Sequence, residues 1–265
     1  MRDCDIAALC GIARLAGLAI LDVARQGFDV IEKDDRTPVT AADKAASDVI
    51  LAGLAQTFPG IPVVCEETED APYAVRRAWR RFFLVDPLDG TKEFIRGTDE
   101  YCVLIALIED GLPVCGVVHA PASDTTYCGG PAIPATRRLG GGPAEPVRAV
   151  APAPGEPLRV MASRSHPDPG LDAYLSRFPD VRSACRGSAL KLAALAEGAA
   201  HLYPRLGPTR EWDIAAGHAL LLGAGGALTA LDGAPFLYNK PDLRNGPFVA
   251  RSFSGEAIDG VSILS

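Results

Sequence analysis

The sequence predicts an α/β fold in two lobes, and three features of its residue pattern support this prediction. Apolar, β-rich runs within residues 101–119 are joined by Asp110-Gly111, a strong hairpin signal. From residue 158 onwards, runs with strand and helix character alternate, as they do in an α/β layer. Between these regions, Gly, Pro and Ala dominate residues 129–157, which predicts a loose hairpin and then a crossover on a flexible loop.

This pattern predicts a first α+β lobe over residues 1–150 and a second α/β lobe over residues 151–265. Residues 5–26, which are rich in Ala and Leu, predict the first helix. The other predicted helices cover residues 41–58, 71–81, 188–197 and 212–223. The other predicted strands cover residues 27–35 (with a loop), 61–65, 81–85, 158–162 and 200–206.

The composition allows a large hydrophobic core and argues against one class of partner. The chain has 265 residues, of which 48% are hydrophobic, enough for one large domain or two linked lobes. Its formal net charge is −7 and no basic face is evident, so binding of nucleic acid is not expected. An acidic protein that acts on a polyanion must concentrate positive charge locally, through bound metal and a few Lys or Arg residues.

Two features of the sequence bear on where the protein is located. The seven cysteines are scattered and form no C-x-x-C motif, which favours a reducing compartment and argues against a zinc site. Residues 6–21 are apolar, but Arg14 interrupts them and Asp5 and Asp22 flank them, so a core helix is favoured over a membrane span. We therefore expect a cytoplasmic protein without an integral membrane span, and a peripheral contact with the inner membrane stays open.

The most informative segment is Asp86-Pro-Leu-Asp-Gly-Thr91. It follows the apolar run 82–85, which predicts a buried strand that ends at Pro87 because proline cannot donate to a ladder. Asp89-Gly90 predicts a turn, and Thr91 predicts the start of a helix. Two carboxylates would then lie at the end of a strand and face the first amides of a helix. Carboxylates suit Mg²⁺ and a helix start suits a phosphate, so the segment predicts metal-assisted phosphate chemistry.

Three further acidic residues lie at the ends of predicted elements, namely Asp43, Glu66 and Asp213. Each has a simpler explanation, Asp43 and Asp213 as helix-start acids and Glu66 with Glu67 as a solvated loop. The segment at residues 86–91 is likewise compatible with an ordinary capped turn. Brought together, however, these acids would repel each other unless cations lay between them. Two or three Mg²⁺ ions could activate a water molecule and neutralise the leaving oxygen of an in-line displacement.

Three motifs, in this order, resemble the signatures of the inositol monophosphatase superfamily of Mg²⁺-dependent, lithium-sensitive phosphatases. They are Glu66-Glu67, residues 86–91 and Trp212-Asp-Ile-Ala-Ala-Gly217, and the match extends from about residue 35 to residue 226. The resemblance implies the layered αβαβα sugar-phosphatase fold of this superfamily, with which the predicted elements are compatible. It also implies inhibition by lithium and direct attack by a metal-activated water molecule.

A second set of motifs is similar to those of the bacterial 3′(2′),5′-bisphosphate nucleotidases within this superfamily. The set comprises residues 92–94, 163–166, 187–191, 196–198 and 202–209. The inositol branch typically carries a Glu seven residues before its last metal-binding Asp, and here that position is Leu206. The resemblance therefore implies removal of the 3′-phosphate of adenosine 3′,5′-bisphosphate, giving AMP and phosphate.

The resemblance also implies a metal site made of carboxylate and carbonyl oxygens. Glu66, Asp86 and the Leu88 carbonyl would hold one Mg²⁺ ion. Asp86, Asp89 and Asp213 would hold a second ion. A third, weaker ion would lie near Glu66.

The remaining implied roles concern the attacking water and the substrate. Thr91, paired with Asp43, would orient and deprotonate the water, and Glu66 joins this catalytic set through the third ion. The amides of Gly90 and Thr91 would bind the scissile phosphate. The residues implied to contact the nucleotide and its second phosphate are His166, Ser188, Lys191 and Arg205.

Residue chemistry alone supports only part of this nucleotide site. Ser188 could simply cap a helix, Lys191 could be a solvated helix residue and His166 could be a loop residue. Arg205 lies on an apolar predicted strand, where a buried Arg needs an anionic partner and phosphate suits its fork.

Two other functions and two states of assembly stay open. The other functions are an inositol-phosphate or sugar-phosphate phosphatase of the same fold and a non-catalytic nucleotide-binding protein. The chain could be a monomer or a homodimer, because no apolar stripe is clearly unused by the core. No motif sets the relative rates on the bisphosphate, its phosphosulfate analogue and inositol phosphates.

Overall fold

The computed structural model describes residues 5–32, 38–165, 168–258 and 260–264. The helices in these residues are α1 (Ile6–Gln26), α2 (Ala41–Thr57), α3 (Tyr73–Arg76), α4 (Thr91–Ile95), α5 (Leu171–Leu175), α6 (Leu190–Ala196) and α7 (Glu211–Gly223). The strands of the first half are β1 (Val30–Glu32), β2 (Pro38–Thr40), β3 (Val63–Cys65), β4 (Arg81–Asp89), β5 (Cys102–Glu109), β6 (Leu112–Ala120), β7 (Thr125–Gly130), β8 (Ile133–Leu139) and β9 (Ala144–Pro146). The strands of the second half are β10 (Leu158–Ser163), β11 (Val181–Arg186), β12 (Leu202–Arg205), β13 (Thr209–Arg210), β14 (Ala227–Ala230), β15 (Arg244–Asn245), β16 (Phe248–Arg251), β17 (Ala257–Ile258) and β18 (Val261–Ser262).

Two sheets form the body of the protein. The large sheet has seven strands in the order β3-β4-β5-β6-β7-β8-β9, in which β3 and β4 are parallel and the later neighbours are antiparallel. The small sheet has five strands in the order β11-β10-β12-β16-β14, with β10 parallel to both its neighbours. The pairs β1-β2, β13-β15 and β17-β18 are separate two-stranded ribbons.

Side chains of the large sheet alternate between two hydrophobic clusters, as the period of a strand requires. Phe83 and Val85 of β4 pack with α1 and α2, whereas Phe82 and Leu84 face the cluster that contains α6, α7 and the inner face of the small sheet. The outer face of the small sheet packs against α5 and the last strands. The layers are therefore α1–α2, large sheet, α6–α7, small sheet and α5.

This arrangement confirms the predicted layered αβαβα fold. The hairpin between β5 and β6 is also confirmed, and Asp110 and Gly111 adopt the positive φ values, 50° and 78°, that a tight hairpin turn requires. The division at residue 150 falls between β9 and β10. Because one hydrophobic cluster joins side chains from both sides of this position, the division into two lobes stays a prediction.

The prediction that β4 ends at Pro87 is wrong, because the strand continues to Asp89. Asp86 pairs with Leu104 and Asp89 pairs with Cys102, so β4 contains one more residue than β5 over this stretch. Such a bulge leaves a residue outside the ladder, which removes the need for the N–H group that proline lacks.

The hairpin predicted within residues 129–157 is present, but it is part of the large sheet rather than loose. Strands β8 and β9 continue the large sheet with antiparallel pairing, which shifts register between Cys128 and Gly130, and β7 begins before the segment, at Thr125. Gly129 and Gly130 are used for close packing, since a Cβ atom on Gly130 would lie 2.1 Å from the Val114 carbonyl oxygen. A high Gly content therefore marked tight contacts here rather than a loop.

Helix α1 is 21 residues long and is apolar enough to cross a membrane by length and composition. Its buried face, which includes Leu9, Ala16 and Ile20, packs on the core. Arg14, on this helix, forms a bidentate ion pair with Asp124 at the large sheet. These contacts agree with the predicted core helix, and the absence of a membrane span stays a prediction.

Helix α7 lies unusually close to the large sheet because Gly116 has no side chain. A Cβ atom at this position in β6 would lie 2.4 Å from the carbonyl oxygen of Ala216 in α7. Since the obstacle is backbone, the helix as a whole would have to move away from the sheet.

We therefore expect Gly116→Ala to lower the free energy of unfolding by about 2 kcal/mol, the usual scale for overpacking. The matched control is Gly11→Ala on α1, where an added Cβ meets nothing within 4 Å. That change should instead stabilise the protein by about 0.5–1 kcal/mol, because alanine favours the helix. Urea denaturation followed by circular dichroism measures both, and equal stabilities would contradict the packing argument.

Candidate active site

A cavity of about 370 Å³ lies where the end of β4, the loop before α6 and the start of α7 meet. Its wall contains ten of the residues predicted to form the site, namely Glu66, Asp86, Leu88, Asp89, Gly90, Thr91, Ser188, Lys191, Arg205 and Asp213. Asp43 lies behind Thr91 and is joined to it by a hydrogen bond. His166 lies outside the described residues, so its predicted role stays a prediction.

The bulge in β4 explains how Asp86 and Asp89 reach the same cavity. Residues three apart on a regular strand point to opposite faces, and the extra residue brings these two carboxylates to one side. The backbone N–H of Leu88 donates to Asp86 at 3.0 Å, and the N–H of Ala189 donates to Asp89. Both carboxylates are thereby fixed by backbone groups.

Glu66 and Asp213 approach the cavity from two other elements. The N–H of Glu66 donates to the Val85 carbonyl at 3.2 Å, so the residue follows β3 alongside β4. Asp213 lies in the first turn of α7 and accepts the N–H of Arg210 at 2.8 Å. The helix-start explanation of Asp213 is therefore correct, and the same residue also faces the cavity.

Asp43 combines a structural role with a contact to the cavity. Its Oδ2 accepts the backbone N–H and the hydroxyl of Thr40, at 2.7 and 2.8 Å, which completes a capping box at the start of α2. Its Oδ1 accepts the Thr91 hydroxyl at 3.1 Å, and this hydroxyl also lies 3.1 Å from the Leu88 carbonyl oxygen. The predicted pairing of Asp43 and Thr91 is confirmed.

Burial and mutual repulsion raise the pKa values of the carboxylates in the cavity. Burial raises the pKa of Asp86 well above its usual range, and the nearby charges of Glu66, Asp89 and Asp213 raise it further. Burial and the charges of Asp89 and Glu66 likewise raise the pKa of Asp213. The pKa of Asp89 rises to about 6, mainly through burial and against the opposing effect of Lys191. Buried like charges therefore oppose ionisation here.

A divalent cation fits this set of donors. Its charge would remove the repulsion that raises these pKa values, and hard oxygen ligands suit Mg²⁺. Within the described residues, no three acidic, His or Cys side chains already converge closely enough to hold a metal ion. Binding would therefore require the carboxylates to rotate inwards.

Two cationic residues, Lys191 on α6 and Arg205 on β12, line the same cavity as the carboxylates. Lys191 is only 5% exposed, so the alternative of a solvated lysine is wrong. Its ammonium donates to the carbonyls of Arg186, at 3.4 Å, and Ser188, at 2.5 Å, and Asp89 stabilises its charge. Arg205 is 6% exposed, on β12, and donates to the Pro208 carbonyl at 3.2 Å.

Ser188 is a residue with an unfavourable backbone conformation, at φ 50°. Its hydroxyl accepts the N–H of Leu190 at 3.3 Å, so the capping alternative holds in part. Left-handed conformations of residues other than glycine cluster at functional sites, and Ser188 faces the cavity. The residue therefore serves the helix and the cavity wall together.

Gly90 begins α4 with φ 96°, a conformation that L residues rarely adopt. A Cβ atom here would also lie 2.9 Å from the Glu100 carbonyl oxygen. The first N–H groups of α4 follow this glycine, and such groups have no partner within their own helix. The glycine thus allows the chain to turn from β4 into α4 beside the carboxylates.

Glu93 and Arg210 are among the residues of the cavity wall that the sequence analysis did not name as site candidates. Glu93 on α4 is 3% exposed and accepts a hydrogen bond from the Ser165 hydroxyl. Arg210 precedes α7, and its guanidinium lies 5.7 Å from the centroid of the Trp212 ring. Glu93 lies in the motif at residues 92–94, and Arg210 immediately precedes Glu-Trp-Asp. Their positions beside these motifs could have identified both residues, but the motifs assigned no role to them.

Comparison with known proteins defines the family. The family model of the inositol monophosphatase family matches residues 1–258. The chain belongs to this family. This chain has a layered fold, and its carboxylates lie in one cavity at the ends of β3 and β4 and at the start of α7.

Among individual relatives, similarity to proteins called CysQ is high. The 3′(2′),5′-bisphosphate nucleotidase CysQ of Escherichia coli (strain K12) is 44% identical over 233 residues, which cover 87% of this chain and 92% of that protein. The protein of the same name from Salmonella typhimurium is 46% identical over 219 residues, 82% of this chain and 87% of that one. The crystal structure of CysQ from Bacteroides thetaiotaomicron has a TM-score of 0.79 at 34% identity and covers 92% of this chain and 96% of that chain.

We expect Asp86→Asn to stabilise the metal-free protein at neutral pH. The folded state raises the pKa of Asp86, so its contribution to stability is present at low pH and is lost as the pH rises. Removing an uncompensated buried charge is worth about 2 kcal/mol or more, which corresponds to a rise in Tm of about 4–8 °C. The measurement is Tm in EDTA, and the gain should be larger at pH 7.5 than at pH 4.5.

The control for this experiment is Asp180→Asn, which removes an exposed carboxylate far from the cavity wall. Its Tm should change by about 2 °C or less at either pH. A Tm for Asp86→Asn that is lower than that of the wild type in EDTA at pH 7.5 would show that the site is not under repulsion.

Proposed function

We propose that this chain is a Mg²⁺-dependent 3′(2′),5′-bisphosphate nucleotidase that converts adenosine 3′,5′-bisphosphate to AMP and phosphate. The observation that carries this proposal is the set of buried, mutually repelling carboxylates in a cavity that Lys191 and Arg205 also line. The CysQ nucleotidases that cover most of this chain support the choice of substrate. The proposal includes a cytoplasmic protein, as monomer or homodimer.

In this proposal, the metal ions are held by Glu66, Asp86, Asp89, Asp213 and the carbonyl of Leu88, all of which line the cavity. Bound Mg²⁺ lowers the pKa of a coordinated water molecule and neutralises charge on the leaving oxygen. The carboxylates contribute by being held on the backbone of three elements, so that rotation of their side chains is enough to bring them to the ions. Competition by lithium at the second metal position is expected to inhibit the enzyme.

In this proposal, the hydroxyl of Thr91 receives a proton from the attacking water. Its own proton is shared with Asp43 Oδ1 and the Leu88 carbonyl oxygen, each 3.1 Å away, which leaves its lone pairs for the water. Burial raises the pKa of Asp43, so this carboxylate is a better proton acceptor than an exposed one. A proton can therefore move from water to Thr91 while the Thr91 proton moves to Asp43.

The substrate phosphates meet opposite sides of the cavity in this proposal. The N–H groups of Gly90 and Thr91 bind the scissile phosphate at the start of α4. Lys191 and Arg205 stabilise the second phosphate by their charges, and Ser188 with His166 contacts the nucleotide. Because Lys191 donates to two carbonyls, it also holds the loop that carries Ser188.

The substrate is tested by measuring phosphate release from adenosine 3′,5′-bisphosphate and from inositol 1-phosphate side by side, with Mg²⁺ and with EDTA. We expect EDTA-sensitive release with a strong preference for the nucleotide, because two cationic side chains lie beyond the carboxylates. Preference for inositol 1-phosphate would keep the metal chemistry and reject the assignment of the second phosphate. No release from either substrate would favour a non-catalytic nucleotide-binding protein.

We expect Thr91→Ala to lower kcat by about 10²–10⁴-fold, the usual contribution of a positioned proton acceptor. Thr91→Ser keeps the hydroxyl and should retain activity within about tenfold. KM for the bisphosphate should change little in either variant, since the hydroxyl acts on the water. Steady-state phosphate release at saturating Mg²⁺ measures this, and similar kcat values for both variants would contradict the role of the hydroxyl.

A further inference from the structure

The first residue of α7 is a fully buried glutamate that lies outside the predicted carboxylate set. Glu211 is 0% exposed, and its carboxylate accepts the backbone N–H groups of Asn239, at 2.7 Å, and Lys240, at 3.0 Å. The ammonium of Lys240 also donates to it at 2.6 Å. A buried carboxylate with this many donors is strongly anchored, because each of its bonds is charge-assisted.

The same lysine connects α7 to β13, the short strand that precedes it. Its ammonium donates to the side-chain oxygen of Asn245 at 3.0 Å, and Asn245 is itself only 5% exposed. The Asn245 amide donates to the Thr209 hydroxyl, at 3.0 Å, and to the Arg210 carbonyl, at 2.7 Å. Arg210 is the residue whose N–H donates to Asp213.

The network also reaches the large sheet through Arg76. This residue is 3% exposed, lies between β3 and β4, and donates to the Asn239 side chain at 2.8 Å. It also donates to the carbonyls of Lys240 and Pro241, each at 3.3 Å, and the Asn239 amide donates back to the Arg76 carbonyl at 2.8 Å. Residues 239–245 thus bridge the β3–β4 connection and the start of α7.

This bridge joins the two sides of the carboxylate set. Glu66, Asp86 and Asp89 are carried by β3 and β4, whereas Asp213 is carried by α7, from another layer of the fold. All four acids line the same cavity, so their like charges oppose the approach of α7 to β4. The hydrogen bonds of Lys240 to Glu211 and Asn245 help to hold the start of α7 in place.

We propose that Lys240 is a positioning residue for the metal-binding carboxylate Asp213, acting through Glu211 and Asn245. It does not contact the reacting atoms, and its effect is on the distance between Asp213 and the acids of β4. The inference rests on the proposed function, because it assumes that these acids bind metal. Partners of this kind around a metal site typically contribute 10–100-fold to metal affinity.

The direction in which cation affinity changes distinguishes a positioning role from simple electrostatics. Lys240→Met removes a positive charge near an acidic metal site, which by charge alone would make cation binding tighter. If Lys240 positions Asp213, the same change makes cation binding weaker. A purely structural role would lower Tm and leave metal affinity unchanged.

The test is Mn²⁺ binding to the whole protein, followed by electron paramagnetic resonance of the free ion. We expect Lys240→Met to weaken Mn²⁺ binding by about tenfold and to raise the Mg²⁺ concentration needed for half-maximal phosphate release by a similar factor. KM for the bisphosphate at saturating Mg²⁺ should stay within about twofold. Unchanged or tighter Mn²⁺ binding would overturn the proposal.

Arg159→Met is the matched control. Arg159 pairs with Glu156 and donates to the carbonyls of Gly198 and Ala199, and none of these residues lines the cavity. The change removes a comparable cation from an ion pair, so Tm should fall while Mn²⁺ affinity stays within about twofold. A tenfold loss in this control would show that metal binding merely follows stability.

Asn245→Ala provides a second variant that removes no charge. It removes the side-chain hydrogen bonds that link Lys240 to Thr209 and Arg210 but leaves the backbone pairing of β13 with β15, and it should weaken Mn²⁺ binding several-fold even if Lys240→Met does not fold. Unchanged Mn²⁺ binding in Asn245→Ala would overturn the proposal in that case. Wild-type protein that neither binds Mn²⁺ nor releases phosphate would reject the proposed function. Wild-type protein that does both, together with variants that bind Mn²⁺ equally well, would reject only the role of Lys240.

Discussion

The structure depends on keeping several carboxylates close together in a buried place. Burial raises the cost of ionising Asp86 and Asp213, and the like charges around each of them add to it. In water such groups would move apart, since a few ångströms of separation removes most of the repulsion. Here the backbone prevents this, because each acid is attached to a strand or helix that is itself locked in a packed layer. The rest of the fold can be understood as the means of holding that arrangement.

The layers contribute to the site in different ways. The bulge in β4 turns two acids to one side, and the contact between Gly116 and α7 brings a third acid close to the sheet. The capping box of α2 fixes Asp43 so that it can pair with Thr91. Each of these features is local, but together they determine where the acids lie at the meeting point of the layers. Small residues and turns are therefore as important to this cavity as the charged groups.

The fold class, most helices and the acids of the site could be predicted from the sequence. Acids that immediately follow apolar runs identified the ends of β3 and β4, and the order of the motifs identified the family. Pro87 misled because a bulge cannot be seen in a single strand, and Gly129-Gly130 misled because glycine marks both loops and close contacts. The partnership of Glu211 and Lys240 was out of reach, because residues 29 apart become neighbours only through tertiary packing.

The position of residues 239–245 along the chain has a consequence for biosynthesis. The cavity uses residues from Glu66 to Asp213, and the loop that ties its two sides together follows later still. Contacts between such distant parts of a chain form late and slowly, because long loops must close first. A ribosome-bound chain that has emerged only as far as α7 would carry the acids without the restraint on their separation. Catalytic competence would thus arise only after residues 239–245 and β16, which joins β12 and β14 in the small sheet, have been synthesised.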